Sequence, residues 1–228
     1  MTGSLVTPGT RRRVRDLATP VATALGRLGL SPNALTLLGF AGACVAALVA
    51  ANQGWLAAGI LVLAFGIFDL FDGALARATN RVSNLGAFLD STFDRAGEGV
   101  IFVGIAAGLQ ASGHLDGPLI AAVALLAAFM VSYTRAKAEG LGFTTGTGMA
   151  AIGLMPREVR VPLLGLGLIL AAVLGTTVDA SSCSSCAGGA GLPTGILVIH
   201  GVLAVIAIGA SITVVQRILH VRAQAGEG

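Results

Sequence analysis

Charge is scarce in this chain. Asp, Glu, Lys and Arg make up 11% of its 228 residues, against roughly 25% in an average soluble domain. Hydrophobic residues account for 55%, and the mean hydropathy is +0.87. This balance excludes an ordinary soluble domain and predicts an integral membrane protein. Cysteine is scarce as well, with three residues. Cys44 lies in an apolar run, while Cys183 and Cys186 form one Cys-x-x-Cys in a Ser/Gly-rich stretch. A metal or redox centre needs more partners than a lone pair supplies, so the stretch reads as a flexible loop, with a labile disulfide as the minor option. No cleavage site follows a lone short apolar core, which argues against a removable signal peptide. No second domain is visible.

Uncharged runs cover residues 34–51, 55–68, 99–113, 117–134, 161–178 and 180–216. About 20 helical residues cross the hydrocarbon core. The second and third runs reach that length only by continuing through acidic segments. The expected fold is all-α, with six transmembrane helices at about 33–52, 55–78, 85–111, 117–140, 157–177 and 193–220. They form a single membrane domain over 11–222, between a disordered tail at 1–10 and a short tail at 223–228. Within 11–28, Val14, Leu17, Val21, Leu25 and Leu28 recur every three or four residues opposite basic ones, the pattern of an amphipathic helix lying in the membrane interface. Pro20 should bend it. Ser31 is the expected N-cap of the first spanning helix, with Pro32 at its first position. Abundant Gly and Ala in the spans permit close helix packing in lipid.

Basic residues are absent from one side of this layout. All fourteen fall before helix 1, around the helix 2–3 turn, around the helix 4–5 connection or after helix 6. Cytoplasmic flanks retain Lys and Arg, so both termini are expected in the cytoplasm of a multi-pass protein of the cell membrane. The net charge of +3 is then a local cytoplasmic property. It gives no reason to expect nucleic acid as a partner.

Against this background, the segments 69–77 and 86–94 place Asp69, Asp72, Asp90 and Asp94 in otherwise apolar surroundings. A carboxylate on a membrane helix costs about 2.5–3.5 kcal/mol on insertion scales, so four together need a strong compensating partner. Residues three or four apart share a helix face. Asp69 and Asp72 thus point one way, Asp90 and Asp94 another, and the turn at 79–84 should set the two pairs facing. Converging oxygen donors at a wet boundary suit a hard cation such as Mg²⁺ and have room for two. Gly73 and Gly86 on the same face would let a bulky ligand approach the backbone. The competing reading is a salt-bridge network with Arg77, Arg81 and Arg95, but four acids against three arginines leave a pocket rather than a filled core. Arg95 and Glu98 read as a structural pair. A divalent-cation transporter would also place acids in the membrane, yet its path should carry polar residues through the bilayer. Here the outer halves of the spans are almost wholly apolar.

The spacing Asp69-x2-Asp72-Gly73-x2-Ala76-Arg77-x8-Gly86-x3-Asp90-x3-Asp94 resembles, at every fixed position, the signature of the CDP-alcohol phosphotransferase family, also called the CDP-alcohol phosphatidyltransferases. The resemblance implies a homodimer that transfers a substituted phosphate from a CDP-linked donor to an alcohol. It implies that Asp69, Asp72 and Asp90 bind two Mg²⁺ ions, Mn²⁺ being an alternative, and that Asp94 is both a ligand and the general base. It further implies that Pro32, Asn33, Ala34, Leu35, Asp69, Gly73, Ala76, Arg77, Ser83 and Gly86 border the CDP moiety.

Within that family, the run from Leu89 to Glu98 looks like that of inositol-phosphate-using members. Ser132-Tyr133-Thr134-Arg135-Ala136-Lys137-Ala138-Glu139 is similar to a run in phosphatidylinositol-phosphate synthases. Ser132, Arg135, Arg157 and Arg217 match positions that bind the acceptor phosphate there, and guanidinium groups suit that ligand. Lys137 and Arg160 are balanced between phosphate binding and topology. The resemblance thus implies CDP-diacylglycerol as donor, an inositol phosphate as acceptor, and phosphatidylinositol phosphate and CMP as products. Phosphatidylglycerophosphate synthesis, or another acceptor of the family, is the alternative, since Met155-Pro156-Arg157-Glu158 departs from the Glu-Arg-Pro-Glu-Arg pattern of many inositol-phosphate users. Of the remaining residues, His200 is expected in a hydrogen bond between helices and Trp55 as an interfacial anchor.

Overall fold

The computed structural model describes Pro20, Ala24, Gly26, Arg27 and residues 29–79, 82–143, 152–176 and 192–226, with the backbone alone at residues 69, 70, 72 and 73. The described residues contain no strand, and seven helices have defined bounds among them: α1 (Pro32–Ala51), α2 (Trp55–Gly66), α3 (Phe68–Ala78), α4 (Asn84–Ala111), α5 (Gly117–Gly140), α6 (Arg157–Leu174) and α7 (Thr194–Gly226). Ser31 caps α1 as expected, its hydroxyl accepting the Ala34 N–H at 3.2 Å, and Pro32 opens the helix. Ser83 caps α4 in the same way, accepting from Gly86 N–H at 3.0 Å.

Six of the helices close into a ring. α1 packs on α4, α4 on α5, α5 on α7, α7 on α6, α6 on α2, and α2 returns to α1; α3 packs chiefly on α1. The ring encloses Ala46, Ala58, Ile105, Leu109, Ala124, Ala171, Ile196, Leu203 and Ile206, all buried. Outside it, Leu48, Leu126, Val173 and Ile208 are more than 60% exposed. Large apolar side chains all around the outer surface mark a bundle made for lipid rather than water. By length and composition, α1, α5 and α7 are long and apolar enough to cross a membrane, and α2 is a shorter apolar helix.

Backbone contact holds the ring. A Cβ on Gly104 would overlap the Ala47 carbonyl oxygen, and one on Gly108 the Ala50 carbonyl oxygen. Gly97 faces the Ala43 Cβ at 3.3 Å from its own would-be Cβ. Three glycines of α4 therefore lie directly on α1. Across the ring, a Cβ on Gly59 of α2 would come within 2.6 Å of the Gly165 carbonyl oxygen of α6. Lipid offers no hydrophobic drive for helix association, so such close approach, with its dispersion contacts, supplies the packing energy.

Four expectations need correction. The span expected over 55–78 is two helices, α2 and α3, separated at Ile67, whose N–H turns to the Phe65 carbonyl. Gly66, a poor helix former, marks the break, and its missing side chain admits Val161 of α6. The last helix runs to Gly226, so residues 223–226 of the expected tail are helical. Trp55 is a core residue, 2% exposed, its ring seated against Gly108. His200 bonds within its own helix, Nδ1 lying 2.9 Å from the Ile196 carbonyl. The interfacial helix expected at 11–28 falls mostly outside the described residues, as do the tail at 1–10 and Cys183 and Cys186. Pro20, Ala24, Gly26 and Arg27 are helical there, and Gly26 sits against Leu75 of α3.

Candidate active site

The N-terminal end of α1 is the frame on which both acidic segments rest. Leu35, fully buried, clusters with Ala74 and Leu75 of α3, the helix that carries Asp69 and Asp72. On the α4 side, Asn33 approaches Gly86, where a Cβ would meet the Ser83 hydroxyl at 3.1 Å and the Asn33 side-chain oxygen at 3.4 Å. About two turns along both helices, Phe40 meets Phe93 with ring centroids 5.0 Å apart and the rings tilted at 47°. Residues expected to border the donor are thereby gathered from separate parts of the chain: Pro32, Asn33, Ala34 and Leu35 from α1, Ala76 and the exposed Arg77 from α3, Ser83 and Gly86 from α4. The N-termini of α1 and α4 meet there, and their unsatisfied N–H groups favour an anion.

Asp90 and Asp94 are half-buried on one face of α4. The side chains of Asp69 and Asp72 lie outside the described residues, and Gly73 is described by its backbone in α3 alone, so the four-acid arrangement rests on the helices that carry them. Among the described residues, no group of three or more His, Cys, Asp or Glu side chains is placed to hold a metal.

Beside Asp94 runs a narrow cleft of about 30 Å³ between α1, α2, α4 and α6, lined among others by Thr36, Phe40, Phe65, Phe93, Asp94, Glu98 and Arg157. Two ion pairs join α4 to α6 along it. Arg157 Nη1 lies 2.9 Å from Asp94 Oδ2. One turn further along both helices, Arg160 grips Glu98 with two parallel bonds, Nε to Oε1 at 2.7 Å and Nη2 to Oε2 at 2.9 Å. Arg160 is 1% exposed and Glu98 6%. The third Arg160 donor, Nη1, reaches the Met155 carbonyl at 2.8 Å. Arg95 stands 4.0 Å from Glu98, so the expected Arg95–Glu98 pair exists but is secondary to Arg160. With its donors committed in this way, Arg160 is a structural cation.

The remaining basic residues are distributed differently from the expected acceptor cluster. Arg157 is in the cleft. Arg135 pairs with Glu139 at 2.8 Å on the exposed end of α5, and Ser132 makes a 3.5 Å contact with the Ala128 carbonyl of its own helix. Arg217 is buried; its Nε donates to the Ile152 carbonyl at 3.0 Å and its Nη1 to the Val131 carbonyl. Arg217, Arg135 and Lys137 are thus grouped around the α5–α7 side, where Lys137 and Arg217 line a second cavity of about 180 Å³.

Sequence reasoning missed the polar residues that deliver Arg157. Thr213 accepts the Met155 N–H at 2.9 Å, and Gln216 accepts the Leu154 N–H at 3.2 Å. With Arg217, they hold the segment 152–156 against α7 just before α6 begins. Gly153, at φ +126°, lies where a Cβ would strike Thr213. The signal available was helical spacing, since 213, 216 and 217 share one face of an otherwise apolar helix.

Three comparisons bear on this geometry. The sequence model of the family described as CDP-alcohol phosphatidyltransferase matches residues 29–222. The phosphatidylinositol phosphate synthase of Streptomyces avermitilis is 36% identical over 213 residues, covering 92% of this chain and 79% of that protein. The archaetidylinositol phosphate synthase of Pyrococcus horikoshii is 35% identical over 163 residues, covering 72% of this chain and 82% of its own. Among solved structures, Mycobacterium tuberculosis phosphatidylinositol phosphate synthase with CDP-DAG bound superimposes with a TM-score of 0.69 at 27% identity, over 90% of this chain and 94% of that one. The same enzyme in complex with manganese and citrate gives 0.69 at 28% identity, over 90% and 88%.

Proposed function

Since the chain belongs to the CDP-alcohol phosphatidyltransferase family, we propose that it transfers a phosphatidyl group from CDP-diacylglycerol to an inositol phosphate, yielding phosphatidylinositol phosphate and CMP. The observation that carries this reading is the Asp94–Arg157 pair in the cleft. It sets a carboxylate able to take a proton beside a cation able to hold a phosphate. A phosphorylated alcohol bound there would present its anion to Arg157 and its hydroxyl to Asp94. The names of the relatives, covering most of the chain, point to the same acceptor.

In this reading Asp94 removes the proton from the acceptor hydroxyl as that oxygen attacks the phosphorus linked to diacylglycerol. The bond to CMP breaks on the opposite side. The joined N-termini of α1 and α4, with Asn33, Ser83 and Gly86, receive the donor's anionic head, and Arg77 supplies a cation beside them. Asp69, Asp72, Asp90 and Asp94 would hold two divalent ions, Mg²⁺ or Mn²⁺. The fit rests on the chemistry of the donor set: hard carboxylate oxygens, two of them half-buried on one face of α4, on helices that share α1 as a support. Metal bound there supplies charge neutralisation for the diphosphate and the departing CMP.

When the acceptor phosphate takes Arg157, the pair opens and Asp94 is released as a base. Six spans made of α1, α2 with α3, α4, α5, α6 and α7, both termini and the site in the cytoplasm of a cell-membrane protein, and a homodimeric state complete the proposal. The inside-positive distribution of all fourteen basic residues supports the orientation. The test is CMP release by purified protein in lipid with CDP-diacylglycerol and Mg²⁺, comparing inositol phosphate, glycerol phosphate and unphosphorylated inositol. Release with inositol phosphate above the others is expected, and loss of release in chelator should be reversed by Mg²⁺ or Mn²⁺. No release with inositol phosphate would overturn the acceptor assignment.

A further inference from the structure

Resting on that functional reading, the geometry points to Glu98 and Arg160 as a positioning pair for the reaction: their buried bridge sets the gap between α4 and α6 at which Arg157 meets Asp94. α4 and α6 are not among the closely packed helix pairs of the described residues, since α1 with α2 on one side and α5 with α7 on the other come between them in the ring. Side chains alone therefore span the cleft. Asp94–Arg157 crosses it at one level. Glu98–Arg160 crosses it one turn on, four residues after Asp94 and three after Arg157, so each member stands on the same helix face as its neighbour.

Planarity makes this bridge a fixed-length strut. A guanidinium and a carboxylate joined by two parallel bonds hold both distance and mutual orientation, which a single contact does not. The third Arg160 donor ties the strut to the Met155 carbonyl, two residues before Arg157. One side chain thus fixes α4, the start of α6 and the segment leading into it.

The bridge also keeps the charges sorted. Five charges of two signs, Asp94, Arg95, Glu98, Arg157 and Arg160, lie within about one helical turn of one another. If Glu98 were neutral, Arg160 would be a buried cation one helical turn from Asp94; if Arg160 were neutral, Glu98 would draw Arg157 or Arg95, which stands 4.0 Å from it. An exchange with Asp94 or Arg157 would occupy a group that the reaction needs. An uncompensated buried charge is costly enough to drive such an exchange.

The experiment compares Glu98→Gln, Arg160→Lys and the double variant Glu98→Gln/Arg160→Met in lipid nanodiscs. It measures thermal midpoint, KM for each substrate and kcat. Arg160→Lys keeps the charge but cannot make two parallel bonds. Expected is a fall in kcat on the order of 10²-fold in both single variants, the effect of misplacing catalytic groups by about 1 Å. KM for CDP-diacylglycerol should stay within about threefold of the parent, since the donor end is built elsewhere. The double variant removes both charges, so it should recover thermal stability while kcat stays low. Recovery of kcat together with stability would overturn the inference and leave the pair as scaffold only. So would Arg160→Lys with parental kcat. Parent protein that releases no CMP under any condition would instead refute the functional reading, so the two failures are distinct.

Discussion

The two halves of α4 follow different physics within one helix. From Asn84 to Glu98 it carries Asp90, Asp94, Arg95 and Glu98, is partly exposed, and meets its neighbours through a cap, a tilted ring pair, ion pairs and, at its end, Gly97 against Ala43. From Gly99 to Ala111 it has no charge, and Gly104 and Gly108 bring its backbone onto α1 with no clearance. The second half is the anchor and the first is the instrument. A carboxylate that must change partners during a reaction cannot be locked by packing. Its helix can be, about three to four turns away at Gly104 and Gly108.

Replacing Asp94 with Asn tests the instrument most directly. CMP release should fall by about 10³-fold or more, in line with loss of a general base, while CDP-diacylglycerol binding, followed with labelled lipid, remains measurable. Near-parental turnover would remove the base assignment and end the comparison. Arg157→Ala comes next. Losing a charge-assisted contact to phosphate costs about 1.5–3 kcal/mol, so KM for the phosphorylated acceptor should rise roughly 10- to 100-fold. The KM for donor lipid should move little, and an equal rise in both would place Arg157 outside the acceptor pocket.

Gly104→Val attacks the anchor instead. Its Cβ would overlap the Ala47 carbonyl, and overpacking of this kind costs typically about 1–3 kcal/mol. The thermal midpoint in detergent should drop, with turnover falling in proportion to folded protein. An unchanged midpoint would show that α1 and α4 can separate freely. Arg135→Ala is the smallest. Its pair with Glu139 is exposed, and exposed pairs contribute about 0–1 kcal/mol, so stability should hardly change. A rise in acceptor KM of less than about twofold would assign Arg135 to the surface, and a larger one to the acceptor path.

Much of this was legible beforehand because it is local. Ser31 and Pro32 announce the start of α1 through cap chemistry, and the i, i+4 spacing of Asp90 and Asp94 puts them on one face. Partners distant in sequence were not legible. Arg160 bonds Glu98 across 62 residues, and only the demand that a buried acid find a cation hints at it; the nearer Arg95 answered that demand on paper. Trp55 was misplaced because a residue just after a short loop looks like a boundary residue, whereas its slot is made by Gly108 on another helix. The backbone partners of Arg217 were hidden in the same way. An arginine at a membrane boundary can bind phosphate or tie backbone, and the carbonyls of Val131 and Ile152 that it holds leave no trace in its own neighbourhood.

The break at Ile67 divides the second segment without freeing its outer part. Ile67 itself keeps helical torsions, φ −73° and ψ −26°, the Phe65 and Phe68 rings stack across it with centroids 5.4 Å apart, and the eleven residues of α3 rest on α1 through Leu35, Ala74 and Leu75. Two of the four acids ride on that short arm, and the other two on a helix anchored to α1. Both acidic segments thus share one reference helix, so whatever shifts the N-terminal end of α1 would carry the two pairs of carboxylates together rather than apart.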